Sequence, residues 1–243
     1  MPLRIVLSTL LAFSLITACE DREVAAAAQA AAIAARNEQM AADAERELDA
    51  AVSGQNWHLA KSQADVLLAN WPETEAAARV RAQFDDIKAK AEAEREARRL
   101  AALWHYNIQN VTNGQQRSAA IYAKDDLDVD GSGPRPVQLI FRDHPDWGRS
   151  SYLVLRSGDF ARACYRRCQV KVSVDGAAPR NMNAFRPDTD EAIAMFITDN
   201  KALWRRIGDA NTLSIEFQLR DGSRRTAVFE VGGLERSRLP GWG

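Results

Sequence analysis

The sequence predicts an α+β protein: an N-terminal alanine-rich helical hairpin and stalk, then an antiparallel β-sandwich-like or rolled-sheet domain with one helix. Three observations predict it. Residues 20–103 contain 27 alanines, with one glycine (Gly54) and one proline (Pro72). Beyond residue 104, short apolar runs alternate with turns bearing Gly, Pro, Asn or Asp. A separate apolar stretch, residues 5–16, precedes both. The chain has 243 residues, 46% hydrophobic and 27% charged, which excludes a wholly disordered or collagen-like protein. The net charge of -1 leaves no global field to draw it onto nucleic acid, so no nucleic-acid partner is expected.

The front end sets the expected compartment. Arg4 supplies a positive start, and residues 5–16 are apolar apart from Ser8, Thr9 and Ser14. That stretch is too short to span a bilayer as a fixed helix and fits the apolar region of an export signal. It ends in Ile16-Thr17-Ala18-Cys19, which resembles the lipobox of bacterial lipoproteins. The resemblance implies a signal peptide over residues 1–18, cleaved before Cys19. The Cys19 thiol is then joined to diacylglycerol and its new amino group acylated, palmitate being the usual kind of chain. Several acyl chains hold a membrane far more firmly than one. Glu20 follows where inner-membrane lipoproteins carry aspartate, so the same resemblance favours the periplasmic face of the outer membrane. The plain alternative is a secretory signal with an incidental cysteine.

Lipidation of Cys19 would leave two thiols, Cys164 and Cys168, in a space that permits disulfides. With three residues between them and strand-like flanks, they can face each other across a tight hairpin, Cα atoms about 5.5 Å apart. A C-x3-C metal site is the rival, but it lacks a second nearby pair of Cys or His. The small loop of such a disulfide would mainly fix the turn.

Residues 19–103 read as a lipid-anchored helical region. Between residues 20 and 103 there are 16 acidic and 11 basic groups; residues 104–243 carry 17 and 20. Ser53-Gly54 ends the first helix and Asn56 caps the second, where Trp57, Ala60, Ala64, Leu67 and Leu68 recur at helical spacing. Pro72 starts the third, with Thr74 and Glu75 in its opening turn and an apolar stripe of Ala76, Val80, Phe84 and Ile87. The spacing of Trp57, Ala60, Leu67 and Pro72 resembles the second helix of a tetratricopeptide repeat, but no second copy follows at the 34-residue period. Residues 88–99 consist of Ala, Glu, Arg and Lys, with Glu94 and Arg98 paired at i,i+4. They read as a solvated stalk or a weak coiled-coil dimer. Residues 24–35 read as a partly ordered tether.

In residues 104–243, strands are expected over 103–110, 119–123, 137–141, 151–155, 169–174, 192–197, 212–219 and 226–231, and a helix over 200–207. Several pieces resemble a poorly characterised C-terminal β domain of bacterial envelope proteins: Trp104-x-Tyr106, Leu139-Ile140-Phe141-Arg142 leading to His144-Pro145-x-x-Gly148, Gly158-x-Phe160 before Cys164, Cys168-x-Val170-x-Val172 with Asp175-Gly176, Phe196-Ile197, and Phe229-x-Val231-x-Gly233-Leu234. Gly158-Asp159-Phe160 stands where that domain has Gly-Gln-Phe. The helical front end resembles the companions of this domain in gammaproteobacterial lipoproteins. The resemblance carries no reaction with it.

Parts for catalysis are few. Asp126, Asp128, Asp130 and Gly131 reproduce the opening of a calcium loop, but its twelfth position is Val137 instead of glutamate, so a surface turn is the plainer reading and these are weak metal candidates. His58, His105 and His144 are scattered along the chain. His144-Pro145 before Asp146-Trp147-Gly148 reads as a tight turn whose tryptophan packs on the sheet. No cofactor and no catalytic residue is expected. The sharpest contact feature is Tyr165 on the cysteine turn, with Arg162, Arg166, Arg167 and Lys171 around it, a composition suited to partner binding. Arg205-Arg206 and Arg224-Arg225 add two basic pairs. The expectation is a non-enzymatic envelope lipoprotein presenting a β-rich domain to an envelope protein or cell-wall component, in its sharper form an inhibitor or immunity protein for a wall-active enzyme. The alternatives are a structural or assembly lipoprotein and a hydrolase with an unrecognised site.

Overall fold

The computed structural model describes residues 10–190 and 192–242, and for residues 10–21 the helical backbone alone. The leader at residues 1–9 and the side chain of Cys19 lie outside the described residues. The chain divides into two compact units, up to Arg95 and from Glu96 onward. Among the described residues, no helix is long and apolar enough to cross a membrane.

The first unit is built from α1 (Leu10–Ser53), α2 (Trp57–Asn70) and most of α3 (Glu75–Ala102). Leu48 and Ala51 of α1, Ala60, Ala64 and Leu67 of α2, and Ala77, Val80 and Ile87 of α3 form its core. Alanine at half of these positions lets the helix backbones approach closely. Residues 24–35 are continuous helix within α1, not a partly ordered tether. Alanine-rich sequence without Gly or Pro continues the helix once it is nucleated. Helix α1 ends at Ser53, but Gln55, not Gly54, takes the left-handed conformation, at φ +54°. Asn56 N–H closes back on Ala51 O at 2.9 Å. The Asn56 side chain then accepts from Leu59 N–H at 3.2 Å, capping α2.

Helix α3 begins three residues after Pro72 because Thr74 is its cap: Thr74 Oγ1 accepts from Ala77 N–H at 3.2 Å. The Glu38 carboxylate of α1 also accepts from Glu75 and Ala76 N–H, at 3.1 and 3.4 Å. It places negative charge where the helix leaves unpaired donors. Residues 88–99 are not a free stalk throughout. Ala91 is buried, Lys90 lies 4.4 Å over the Trp57 ring, and Glu94 accepts from His58 N–H at 3.1 Å.

The second unit is one nine-stranded antiparallel sheet. Its strands are β1 (Trp104–Val111), β2 (Gly114–Tyr122), β3 (Gln138–His144), β4 (Gly148–Val154), β5 (Cys168–Val174), β6 (Arg180–Phe185), β7 (Ala194–Ile197), β8 (Leu213–Gln218) and β9 (Arg224–Phe229), in the order β1-β2-β3-β4-β7-β6-β5-β8-β9. The sheet rolls on itself. Lys124 N–H, just past β2, donates to Val228 O of β9 at 2.7 Å, and a single apolar core takes side chains from every strand. Helix α4 (Asn200–Arg206) and the C-terminal turn at Pro240–Trp242 cover that inner face. There Phe141, Trp204 and Trp242 meet with ring centroids 5.0 to 5.4 Å apart.

The α+β class, the antiparallel strands and the single helix are as the sequence predicts. Strand β6 is the one it does not announce.

The quoted motifs act as fasteners. Trp104 Nε1 donates to Val231 O and Gly232 O, both at 3.3 Å, and Glu235 N–H donates to the Tyr106 hydroxyl at 2.7 Å. Asp175, at φ +47°, accepts from Asn211 and Thr212 N–H at 3.0 and 2.7 Å, tying the β5–β6 turn to the approach of β8.

Candidate functional site

The rolled sheet has a buried inner face and an outer face, and the outer face is not uniformly polar. Alternation along each strand sends Leu139, Phe141, Leu153, Met195, Ile197 and Ala184 inward, where they are buried. Their neighbours Ile140, Tyr152, Phe196 and Phe185 point the other way and are half-buried. Register places these four in one row across β3, β4, β7 and β6: Ile140 opposite Tyr152, Tyr152 opposite Phe196, Phe196 opposite Phe185. The Tyr152 and Phe196 ring centroids are 5.0 Å apart, and Phe196 and Phe185 stack at 5.2 Å. Partial burial pushes the Tyr152 phenol up from its ordinary pKa, so it stays protonated.

One end of the row is braced by the β3–β4 turn. His144 is buried, its Nδ1 accepts from Asp146 N–H at 3.1 Å, and Gly148 supplies the positive φ of +65° that closes the turn. The Trp147 indole stacks on the His144 ring at 3.9 Å, planes 14° apart. The Arg142 guanidinium lies 5.3 Å from the Trp147 ring centroid and 5.4 Å from that of Tyr152, linking turn and row. Trp147 is nevertheless 69% exposed. It leans on His144 and Arg142 and does not pack on the sheet as the sequence suggests, because the tight turn carries the indole beyond the strand ends. The histidine is a turn pin: its partner is a backbone N–H, and Asp146 Oδ2 lies 3.9 Å away.

The cysteine turn is differently built. Cys164 and Cys168 are joined, Cα atoms 4.8 Å apart. They do not face one another across two strands: a 3₁₀ turn, Arg162–Cys164, leads in and β5 leads out. The preceding residues are held by Phe160 and Ala161 backbone bonds to other segments, which excludes a partner strand there. Tyr165 is 40% exposed, with Arg166 5.8 Å over its ring, and a hydrogen bond to the Asp188 carboxylate pushes its phenol pKa up. Arg162, Arg166 and Arg167 are exposed around it. Lys171 is engaged elsewhere, paired with Glu216 at 3.2 Å. Arg224 joins the same carboxylate at 2.7 Å.

The acidic loop spends its carboxylates on its own backbone. Asp128 Oδ1 accepts from Gly131 N–H at 2.7 Å, and Asp130 Oδ1 from Ser132 N–H at 2.9 Å; hydrogen bonds from the Ser132 side chain and then its backbone lower the Asp130 pKa. Among the described residues, no group of three or more His, Cys, Asp or Glu is placed to hold a metal ion. His58 lies in the first unit, His105 sits against Tyr122 and His144 pins the β3–β4 turn.

No protein-family model and no curated protein matches the sequence. A solved structure, the crystal structure of invasion associated protein B from Bartonella henselae, is similar over 58% of this chain and 91% of that one, at 14% identity and a TM-score of 0.38. A likeness that slight carries no functional argument. The function must be read from the residues themselves.

Sequence reasoning missed the aromatic row. The signal was present in part: Phe196 falls between the apolar, inward Met195 and Ile197, and Tyr152 between the buried Ser151 and Leu153, so both face outward. What aligns them is the pairing of β4 with β7 and of β7 with β6, a register between distant segments that no local pattern displays.

Proposed function

We propose that this protein is a non-enzymatic cell-envelope lipoprotein, anchored through Cys19 at the periplasmic face of the outer membrane, whose β unit binds a cell-wall component through the outer face of its sheet. The observation that carries the reading is the outward aromatic row ending at Trp147. Its rings Tyr152, Phe196 and Phe185 stand on three neighbouring strands in register, and Arg142 joins Tyr152 to the Trp147 indole, which is stacked on His144 yet 69% exposed. Rigid aromatic groups half-open to solvent are costly to leave uncovered and typical of contact surfaces. The lipobox-like Ile16-Thr17-Ala18-Cys19 supports the location.

A second reading rests on a different surface. Tyr165 among Arg162, Arg166 and Arg167, on a turn closed by Cys164–Cys168, has the composition of an anchor for an acidic protein partner. That surface fits an inhibitor or immunity protein for a wall-active enzyme.

The two readings separate experimentally. A photoreactive amino acid is placed at position 147 or at position 165, and the intact envelope is irradiated. Adducts from position 147 with wall material, and none from 165, are expected. A single wall hydrolase captured from position 165 alone favours the second reading, and no adduct from either position overturns both. Radiolabelled palmitate incorporated by the native chain and lost in Cys19→Ser tests the anchor.

A further inference from the structure

We infer that the outer face of the sheet is a sugar-binding face, and that its ligand is the extended, neutral glycan strand of the cell wall. The inference rests on the reading above and names the chemistry of the component bound. Three features point to a sugar. First, the Trp147 indole is stacked on His144 at 3.9 Å and lies 5.3 Å from the Arg142 guanidinium while the residue stays 69% exposed, so the ring is held in place and presented to solvent. The negative π face of an indole attracts the polarised C–H groups of a pyranose ring. Second, the side chains around the row are hydrogen-bonding but uncharged: Gln138, Ser118, Ser150, Asn181 and Asn183 point outward beside it. They match hydroxyl and acetamido groups, which donate and accept alike.

Third, the charge pattern disfavours the competing polymers. The outward positions of β2, β3, β4, β7 and β6 carry no Asp or Glu among the described residues, so a cationic peptide finds no complement. Arg142 is the cation amid the row, and it is spent between two rings, so a polyanion finds little either. Adjacent strands lie about 4.8 Å apart, close to the length of one pyranose unit. Rings on three adjacent strands, β4, β7 and β6, therefore offer successive contacts to successive sugars.

The test uses the full-length chain in detergent micelles, with chitohexaose (six β-1,4-linked N-acetylglucosamine units) as soluble probe and protein-free peptidoglycan sacculi as insoluble one. Isothermal titration calorimetry should register chitohexaose binding, and sacculi should sediment the protein. Trp147→Ala should weaken both by roughly tenfold or more, and Tyr152→Ala likewise. Trp147 is exposed, so its removal leaves the core intact, and an unchanged circular dichroism spectrum keeps the result interpretable even where Tyr152→Ala does not fold. No binding of either probe by the native chain, or equal binding by a folded Trp147→Ala variant, overturns the inference. A protein adduct from position 147 in the envelope, with no sacculus binding, would overturn the sugar ligand and leave the outer face as the contact surface. Failure of both experiments removes that surface as well.

Discussion

Tyr152 and Phe196 stand directly opposite each other on β4 and β7, ring centroids 5.0 Å apart, on the face of the sheet that turns away from the core. Their flanking residues Ser151, Leu153, Met195 and Ile197 are all buried, so register fixes the two rings outward. The rings' shared exposure is thus a consequence of pairing between strands that the chain visits at different times.

The helical unit contains a removable strain. Gln55 holds φ +54°, a conformation that costs an L-residue with a Cβ roughly 1–2 kcal/mol. Gln55→Gly removes that cost and adds some chain entropy to the unfolded state. It should stabilise the first unit by about 0.5–1 kcal/mol, seen as a higher midpoint in urea unfolding followed by helical circular dichroism.

Gly233 behaves in the opposite way. Its φ is +76°, and an added Cβ would lie 2.5 Å from Ala101 N and 2.7 Å from Leu100 C at the end of α3. Backbone cannot step aside as a side chain can. Gly233→Ala should cost about 2–4 kcal/mol, and Gly131→Ala, where nothing lies within 4 Å of the added Cβ, should cost less. Paired unfolding curves check the difference.

Acid should destabilise the fold. Arg79 hydrogen-bonds both oxygens of Glu45, at 2.8 and 2.6 Å, and holds that carboxyl below its usual pKa. Arg99 does the same to Glu230, and Arg224 and Lys171 to Glu216. A carboxylate with a lowered folded-state pKa contributes its full stabilisation above the unfolded value, near 4.3 for Glu. That contribution is lost as pH falls through the folded value. Thermal midpoints should be flat above about pH 5.5 and fall below it. Glu45→Gln should lower the midpoint at neutral pH and shallow the acid slope.

Closing the loop between Cys164 and Cys168 restricts the unfolded chain over a short span, worth about 2 kcal/mol on chain entropy. Cys164→Ser/Cys168→Ser should lower stability by no more than about that amount and leave the strand content unchanged in the far-ultraviolet spectrum. A molecule that unfolds outright without the bond would show that it holds more than its own turn, including the Arg186 N–H bond to Cys164 O at 2.9 Å.

Much of this architecture is legible because local physics decides it. Alanine content dictates the helices, Asn56 and Thr74 have the oxygen chemistry of caps, and alternation marks most strands. Strand β6 escapes because Arg180-Asn181-Met182-Asn183-Ala184-Phe185 is poor in β-branched residues; the sheet on both sides imposes its conformation. Trp147 reads as a packing residue because most tryptophans bury their area, and only the geometry of a turn pinned by His144 holds it outside. Lys171 reads as part of the Tyr165 cluster because sequence distance is short, while the pairing of β5 with β8 hands it to Glu216.

Oxidative footprinting of living cells tests the central claim most directly. Hydroxyl radicals label aromatic side chains according to their exposure, and the purified protein gives the reference, with Trp147 at 69% exposure its most accessible tryptophan of the sheet unit. If the outer face is the working surface, labelling of Trp147 should drop strongly in the envelope while that of Tyr165 stays as in the purified protein. Trp147 labelled equally in both settings would contradict the account.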